Sequence, residues 1–273
     1  MRRFEDKVAL VTGAGSGMGR ACAHRLVAEG ATVVVNDITL ERAEVTVAEL
    51  DGKGHPIGAD VADAAAVESM YSEAMERYGR LDAVANLAGI NFSGPGELER
   101  FTATVDAMTA DMMAGRPATT RWDFFVNITD ESFERMLRVH LFGTFFSTRA
   151  AARIMMLQGS GAIVNCASGA AVMAFPASGH YSAAKAGILG MTRAAAIELG
   201  AWGIRVNAIA PGAVDTPMLA DAPPAFVTAG VAQTPLGRMA DPSEVASVAA
   251  FLLSGDASYM TGQTLEPNGG MHM

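Results

Sequence analysis

The chain has 273 residues, half of them hydrophobic, and a net charge of −9 that is spread without long runs of one sign. That size suits one large domain, residues 1–273, with a continuous buried core, and the negative balance makes nucleic acid or an anionic membrane surface a poor partner. No apolar stretch approaches the roughly 20 residues needed to cross a bilayer, and Val8–Val11 is too short for a secretory leader, so a soluble, cytoplasmic protein is expected.

Short β-branched and apolar runs alternate with helical patterns. The expected strands are Lys7–Thr12, Thr32–Asn36, His55–Ala59, Asp82–Asn86, Gly161–Ala167, Arg205–Ala210 and Gln263–Glu266. Between them the helical patterns cover Gly17–Glu29, Leu40–Leu50, Ala64–Tyr78, Asp130–Leu157, Tyr181–Leu199 and Pro242–Leu253. Strands separated by helices of ten or more residues pair in parallel through right-handed crossovers. The fold class is therefore α/β, a Rossmann-type doubly wound parallel sheet of seven strands with helices on both faces. Asp241, Pro242 and Glu244 supply an N-cap, a first-turn proline and a capping-box carboxylate for the helix at Pro242–Leu253. Cys22 and Cys166 lie in apolar surroundings without metal-ligand spacing and read as reduced core thiols.

Two stretches break the alternation. Asn91–Thr129 is rich in Gly, Thr, Pro and Met, with Thr104–Ala114 able to form one helix, and residues 211–240 also lack a sheet role. Connections in α/β units usually run about 2–6 residues, so segments this long are commonly functional. Both follow strand ends and so belong to the carboxyl edge of the sheet, where ligands bind in this architecture.

The first strand feeds into Thr12-Gly13-Ala14-Gly15-Ser16-Gly17-Met18-Gly19. Small residues there let the backbone approach a pyrophosphate, and the helix that follows points its free N–H groups at the anion. Asp37, at the end of the second strand, stands where a carboxylate can accept hydrogen bonds from ribose hydroxyls and repel a 2′-phosphate. With no Arg or Lys in the glycine turn or immediately after Asp37, NAD is favoured over NADP.

These motifs, with Asp60-Val61, Asn86-Leu87-Ala88-Gly89, Ser168, Tyr181-Ser182-Ala183-Ala184-Lys185 and Pro211-Gly212 with Thr216, recur in the order found in one family. The chain resembles the short-chain dehydrogenase/reductases over nearly its whole length, Asn91–Thr129 excepted. The resemblance implies that Asp60 and Val61 border the adenine and that Asn86, Ala88 and Gly89 shape the cofactor cleft. It also implies that Val214 and Thr216 hold the nicotinamide carboxamide beside Pro211 and Gly212, with Tyr181 and Lys185 reaching the cofactor too. Residues 181–217 are similar to 3-oxoacyl-carrier-protein reductases, whose usual NADPH preference Asp37 argues against. Some 3-hydroxyacyl-CoA dehydrogenase members share the reading Val139-His140-Leu141 where the family usually has an asparagine.

The chemistry also follows from spacing. Tyr181 and Lys185 share a helix face at i, i+4. A free phenol, with a pKa of about 10, is a poor base near neutrality, and a neighbouring ammonium stabilises its phenolate. Tyr181 then takes the proton of a secondary alcohol, or returns it to a ketone, while Ser168 holds the substrate oxygen. For His140 two readings stand: the imidazole takes part in a proton relay with the lysine, or a backbone carbonyl holds the relay water and the side chain only packs.

The expected substrate is a lipophilic secondary alcohol or ketone, a 3-hydroxyacyl or 3-oxoacyl thioester first and a hydroxysteroid or other cyclic alcohol second. A protein that senses NAD(H) without turnover is the reading from another class. Phe92, Phe101, Met108, Met112, Met113, Trp122, Phe124 and Phe125 either wall the substrate pocket or pack a satellite core or subunit contact. Ala222–Thr234 reads as a mobile flap. Small residues on two long helices (Ala150-Ala151-Ala152 and Ala194-Ala195-Ala196), together with the resemblance, point to a homotetramer with Gly269–Met273 near a neighbour.

Overall fold

Val8-Ala9-Leu10-Val11 and Val33-Val34-Val35 contain no alternating polar positions, a pattern that is stable only in a sheet covered on both faces. The computed structural model, which describes residues 2–173 and 175–273, has that arrangement. The strands are β1 (Val8–Thr12), β2 (Thr32–Asp37), β3 (Gly54–Gly58), β4 (Ala83–Asn86), β5 (Gly161–Cys166), β6 (Ile204–Ile209) and β7 (Thr264–Leu265). They form one seven-stranded sheet in the order β3-β2-β1-β4-β5-β6-β7. Every pairing is parallel, with Val8 opposite Thr32 and Ala9 opposite Ala83 in the central registers.

Successive strand residues alternate between two apolar layers, as the two-residue side-chain period of a strand requires. Ala9, Val11, Val33 and Val35 pack under α1 (Gly17–Ala28), α2 (Leu40–Val47) and α10 (Pro242–Leu253). Leu10, Val34, Val84 and Ile163 pack under α3 (Ala64–Tyr78), α6 (Gly143–Gln158) and α7 (Gly179–Gly200). The chain winds outward from β1 to β3 and then returns to place β4 on the other side of β1, which opens a crevice at their carboxyl ends. The capping box forms as expected: Ser243 N–H donates to Asp241 and Asp241 N–H to Glu244, each at 2.8 Å.

Four expectations need correction. The helix expected over Asp130–Leu157 is interrupted: α5 (Asp130–Leu137) runs into a π-helical turn at Arg138–Phe142 before α6 begins. The added residue in that turn changes which side chains face inward, and His140 becomes buried. In the long insert, α4 runs over Glu97–Met113, starting seven residues before Thr104, after the left-handed Gly96 (φ 73°). The 211–240 stretch carries two short helices, α8 (Pro217–Ala220) and α9 (Pro224–Ala232). Finally, Ala150, Ala151 and Ala152 are buried inside the subunit, so their small size serves its own core and not a neighbour's approach.

Candidate active site

The glycine turn is shaped by contacts that leave no room for side chains. A Cβ on Gly13 (φ +65°) would lie 2.6 Å from Ala88 Cα, and one on Gly19 would lie 2.2 Å from the Gly13 carbonyl oxygen. Ser16 precedes α1 in extended conformation, and its side chain makes no capping hydrogen bond. The first-turn N–H groups of α1 therefore stay available to an anion. Gly13, Ser16, Gly17, Met18 and Gly19 line a cavity of about 640 Å³ that continues past Asp37, Asp60, Val61, Ala88 and Gly89. A glycine floor, an uncapped helix end and a carboxylate at the far side fit a dinucleotide.

Asp37 is buried and heavily engaged. Its carboxylate accepts from Gly15 N–H at 2.9 Å and from Ile38 N–H at 3.0 Å, and it pairs with Arg42 at 2.8 Å. The expectation that no cation offsets Asp37 is therefore wrong. Arg42 sits five residues further on, yet the first turn of α2 swings it back over the carboxylate. Asn86 is also placed differently from its expected role. Its side chain turns into the sheet, donating to Asn165 at 2.8 Å and to Thr148 at 3.2 Å and accepting from Ser147, and it lines neither cavity.

A second cavity of about 260 Å³ adjoins the first, sharing Met18, Leu87, Gly89, Thr216 and Met218 with it. Ser168, Tyr181, Lys185 and His140 all line it, as do Pro211, Gly212 and Val214 after β6. Lys185 is almost fully buried, donates to the Cys166 carbonyl at 2.7 Å and places Nζ 5.5 Å from the centre of the Tyr181 ring. Ser168 accepts from Ala170 N–H at 3.2 Å, which leaves its own hydroxyl proton free to donate.

His140 stands edge-on to Tyr181, with ring centres 5.2 Å apart and planes at 90°. Burial, with the charge of Lys185 acting in the same direction, holds its pKa well below the ordinary imidazole range, so the ring is neutral near pH 7. Nε2 lies 2.8 Å from the Ile90 carbonyl oxygen and 3.1 Å from its N–H, while the buried Nδ1 has no hydrogen-bond partner. A Cβ on Gly89 would sit 2.4 Å from this ring.

The insert contributes in two ways. Phe101, Val105 and Phe124 form a small core of their own, and Phe92 and Phe101 also line the second cavity. Phe101 meets Phe226 of α9 edge-on at 5.0 Å, and Asn91 donates to the Met218 carbonyl at 3.2 Å, so the insert and the 211–240 stretch close on each other. Met112, Met113 and Phe125 are exposed and line neither cavity.

Sequence reasoning missed His180 and Glu97. His180 is 1% exposed, lines the same cavity as Tyr181 and points Nε2 at Glu97 from 3.7 Å. A histidine beside Tyr181 was a readable signal, whereas nothing marked a glutamate in the insert as its partner. Among the described residues no group of His, Cys, Asp and Glu is placed to hold a metal ion, and no helix is long and apolar enough to cross a membrane. Cys22 and Cys166 are free and buried, and burial pushes the Cys22 thiol up to about 12 and raises that of Cys166.

Comparison with known proteins matches residues 7–225 to the short chain dehydrogenase model. The chain is 35% identical to the 3-oxoacyl-(acyl-carrier-protein) reductase of Thermotoga maritima, over 98% of this chain and 99% of that one. It is 36% identical to the (3R)-3-hydroxyacyl-CoA dehydrogenase of Homo sapiens, covering 99% and 97%. Levodione reductase of Leifsonia aquatica is also 36% identical, with 98% and 95% covered.

Proposed function

The chain belongs to the short-chain dehydrogenase family, enzymes that use a nicotinamide cofactor on hydroxyl and keto groups, and we propose that it is an NAD(H)-dependent dehydrogenase of a lipophilic secondary alcohol. The observation that carries this reading is that Ser168, Tyr181 and Lys185 line one cavity, which opens into the glycine-floored one. Gly13, Ser16, Gly17, Met18 and Gly19 would hold the pyrophosphate, with Asp37, Asp60 and Val61 at the adenosine end and Ala88, Gly89, Val214 and Thr216 nearer the reacting ring. When bound, the cofactor supplies the carbon that gives or accepts hydride.

The chain's own residues manage the oxygen and its proton. Ser168 donates a hydrogen bond to the substrate oxygen, and Tyr181 takes the alcohol proton or returns it. The buried Lys185 side chain, with Nζ 5.5 Å from the centre of the Tyr181 ring, is held in place by the Cys166 carbonyl. Of the two readings for His140, the relay gains support from a neutral ring whose buried Nδ1 has no protein partner.

NAD is the cofactor of choice in this reading because a 2′-phosphate would be brought against the buried Asp37 carboxylate. Arg42, about half exposed, already spends its charge there. NADH is expected to be at least about tenfold better than NADPH in kcat/KM. Asp37→Ser should shrink that ratio by freeing Arg42 for the phosphate. Equal use of the two cofactors by the wild type would refute the assignment.

For the substrate, Phe92, Phe101, Phe175 and Phe226 make the cavity wall predominantly apolar. The names of the relatives favour a 3-hydroxyacyl or 3-oxoacyl thioester; a hydroxysteroid or other cyclic alcohol is the alternative. A panel of 3-oxoacyl thioesters and ketosteroids, followed by NADH absorbance, tests this: thioesters should give the highest kcat/KM. If neither class is reduced, the substrate reading fails.

The same reading includes a homotetramer of a cytoplasmic type. Phe142 and Phe145 near the start of α6 and Ile197 on α7 remain exposed in the single subunit, a cost that a symmetric helix contact would remove. Sedimentation at micromolar concentration should give four times the subunit mass of 28.3 kDa; a monomer would exclude the tetramer.

A further inference from the structure

The last residues of the chain fold back onto the second cavity. Met271 lines it. Met18 and Met218 line the dinucleotide cavity as well, whereas Met271 belongs to the second cavity alone. Met271 is partly buried and Met273 fully exposed, so the tail turns inward at the first of these methionines and outward at the last.

A chain end that is not tied down is poorly ordered and makes no wall. This one is tied both to itself and to its surroundings. Asn268, buried after β7, accepts from Gly270 N–H and donates to the His272 carbonyl, each at 2.9 Å. Met271 N–H donates to the Asn268 carbonyl at 3.2 Å, and the His272 ring lies 3.0 Å from the Glu266 carboxylate. The Gly269 carbonyl accepts from Leu236 N–H at 3.1 Å. Gly269 is left-handed (φ +64°), and a Cβ there would lie 2.6 Å from Thr234 Cγ2, so only glycine lets the tail pack this closely on the chain leaving α9. Phe226 and Gly230 of α9 line the same cavity as Met271, and tail and helix together form one stretch of its wall.

The space these residues enclose is small. At about 260 Å³ the cavity falls below the roughly 300–1,000 Å³ typical of sites for drug-sized ligands. In the dehydrogenase reading its portion beside Val214 and Thr216 is also taken by the reacting ring of the cofactor. What remains suits a short carbon chain. Methionine, unbranched and adaptable, fills irregular apolar gaps, and a pinned backbone behind it fixes where that filling ends.

We infer that Met271 is a specificity-determining residue that limits the length of the substrate's carbon chain. The inference rests on the dehydrogenase reading for its choice of cavity, and within the proposed class it selects short-chain 3-oxoacyl or 3-hydroxyacyl thioesters. One methylene too many in an apolar pocket is worth about 10- to 200-fold, so a single side chain at this place is enough to set the limit.

The test titrates 2-alkanols, from 2-butanol to 2-decanol, into the NADH-saturated enzyme by calorimetry. With NADH an alcohol finds no hydride acceptor, so only binding is read. Affinity should rise about fourfold per added methylene up to a break, and fall beyond it. Met271→Ala, which removes the side chain beyond Cβ, should move the break to longer chains. The first homologue past the wild-type break should then bind at least about tenfold more tightly than it does to the wild type. Met271→Trp should move the break to shorter chains. Melting temperature and NADH affinity serve as controls for the fold and the cofactor site. No break in the wild type, the same break in all three proteins, or no binding of any alkanol overturns the inference. A break that moves as expected in an enzyme that turns over no alcohol or ketone would instead sink the dehydrogenase reading and leave the wall standing.

Discussion

Replacing Tyr181 with phenylalanine is expected to lower turnover by about 10² to 10⁴, the usual contribution of a positioned acid–base group, while leaving fold and cofactor affinity near normal. The substitution removes one oxygen and keeps the ring. The packing of that ring, edge-on to His140 and 5.5 Å from the Lys185 ammonium, therefore survives. Lys185 keeps its bond to the Cys166 carbonyl, so no buried charge loses its partner. What disappears is the atom that exchanges a proton with the substrate oxygen, and neither neighbour replaces it. The Ser168 hydroxyl can orient that oxygen but is a poor base near neutrality, and the neutral His140 directs Nε2 to Ile90. The measurement is kcat with any alcohol the wild type oxidises, alongside NADH affinity by fluorescence. Equal turnover in the variant would remove the mechanism. A wild type that binds NADH and turns over nothing would favour a sensor.

Much of this site is legible in the sequence because its parts depend on local chain geometry. A glycine turn after a strand, a carboxylate at the end of the next strand and a Tyr–Lys pair one helical turn apart all fix their neighbours within a few residues. The sheet is legible for the same reason, since its unbroken β-branched runs need cover on both faces. What was missed depends on contacts between distant segments. Arg42 reaches Asp37 only because α2 turns back across the end of β2. Glu97 meets His180 only because α4 extends upstream of its apolar stretch to a start set by Gly96. Asn86 lies within a motif that suggests cofactor contact, yet Asn165 on the adjoining strand and Thr148 on α6 draw its side chain into the sheet. The π-helical turn at Arg138–Phe142 leaves no mark in a pattern read with a period of 3.6 residues.

The glycine turn offers a test of the cofactor site that does not depend on catalysis. Gly19→Ala adds one methyl group to the first turn of α1, and a Cβ there would lie 2.2 Å from the Gly13 carbonyl oxygen and 2.9 Å from Ala14 Cα. Gly19 has ordinary helical backbone angles, so any loss comes from packing and not from a left-handed conformation; Gly13, at φ +65°, would confound the two. Since backbone atoms cannot step aside as the end of a side chain can, either α1 shifts along its axis or the turn opens. Overpacking of this kind costs about 1–3 kcal/mol, which for a chain of this size lowers the melting temperature by roughly 2–4 °C per kcal/mol. Either movement also displaces the first-turn N–H groups from the position that an anion requires. NADH affinity should therefore fall by at least about tenfold, a larger effect than the stability loss alone produces in a protein that remains folded at 25 °C. An alanine variant that keeps wild-type NADH affinity would show that the turn is not where the pyrophosphate rests, whatever Tyr181 does.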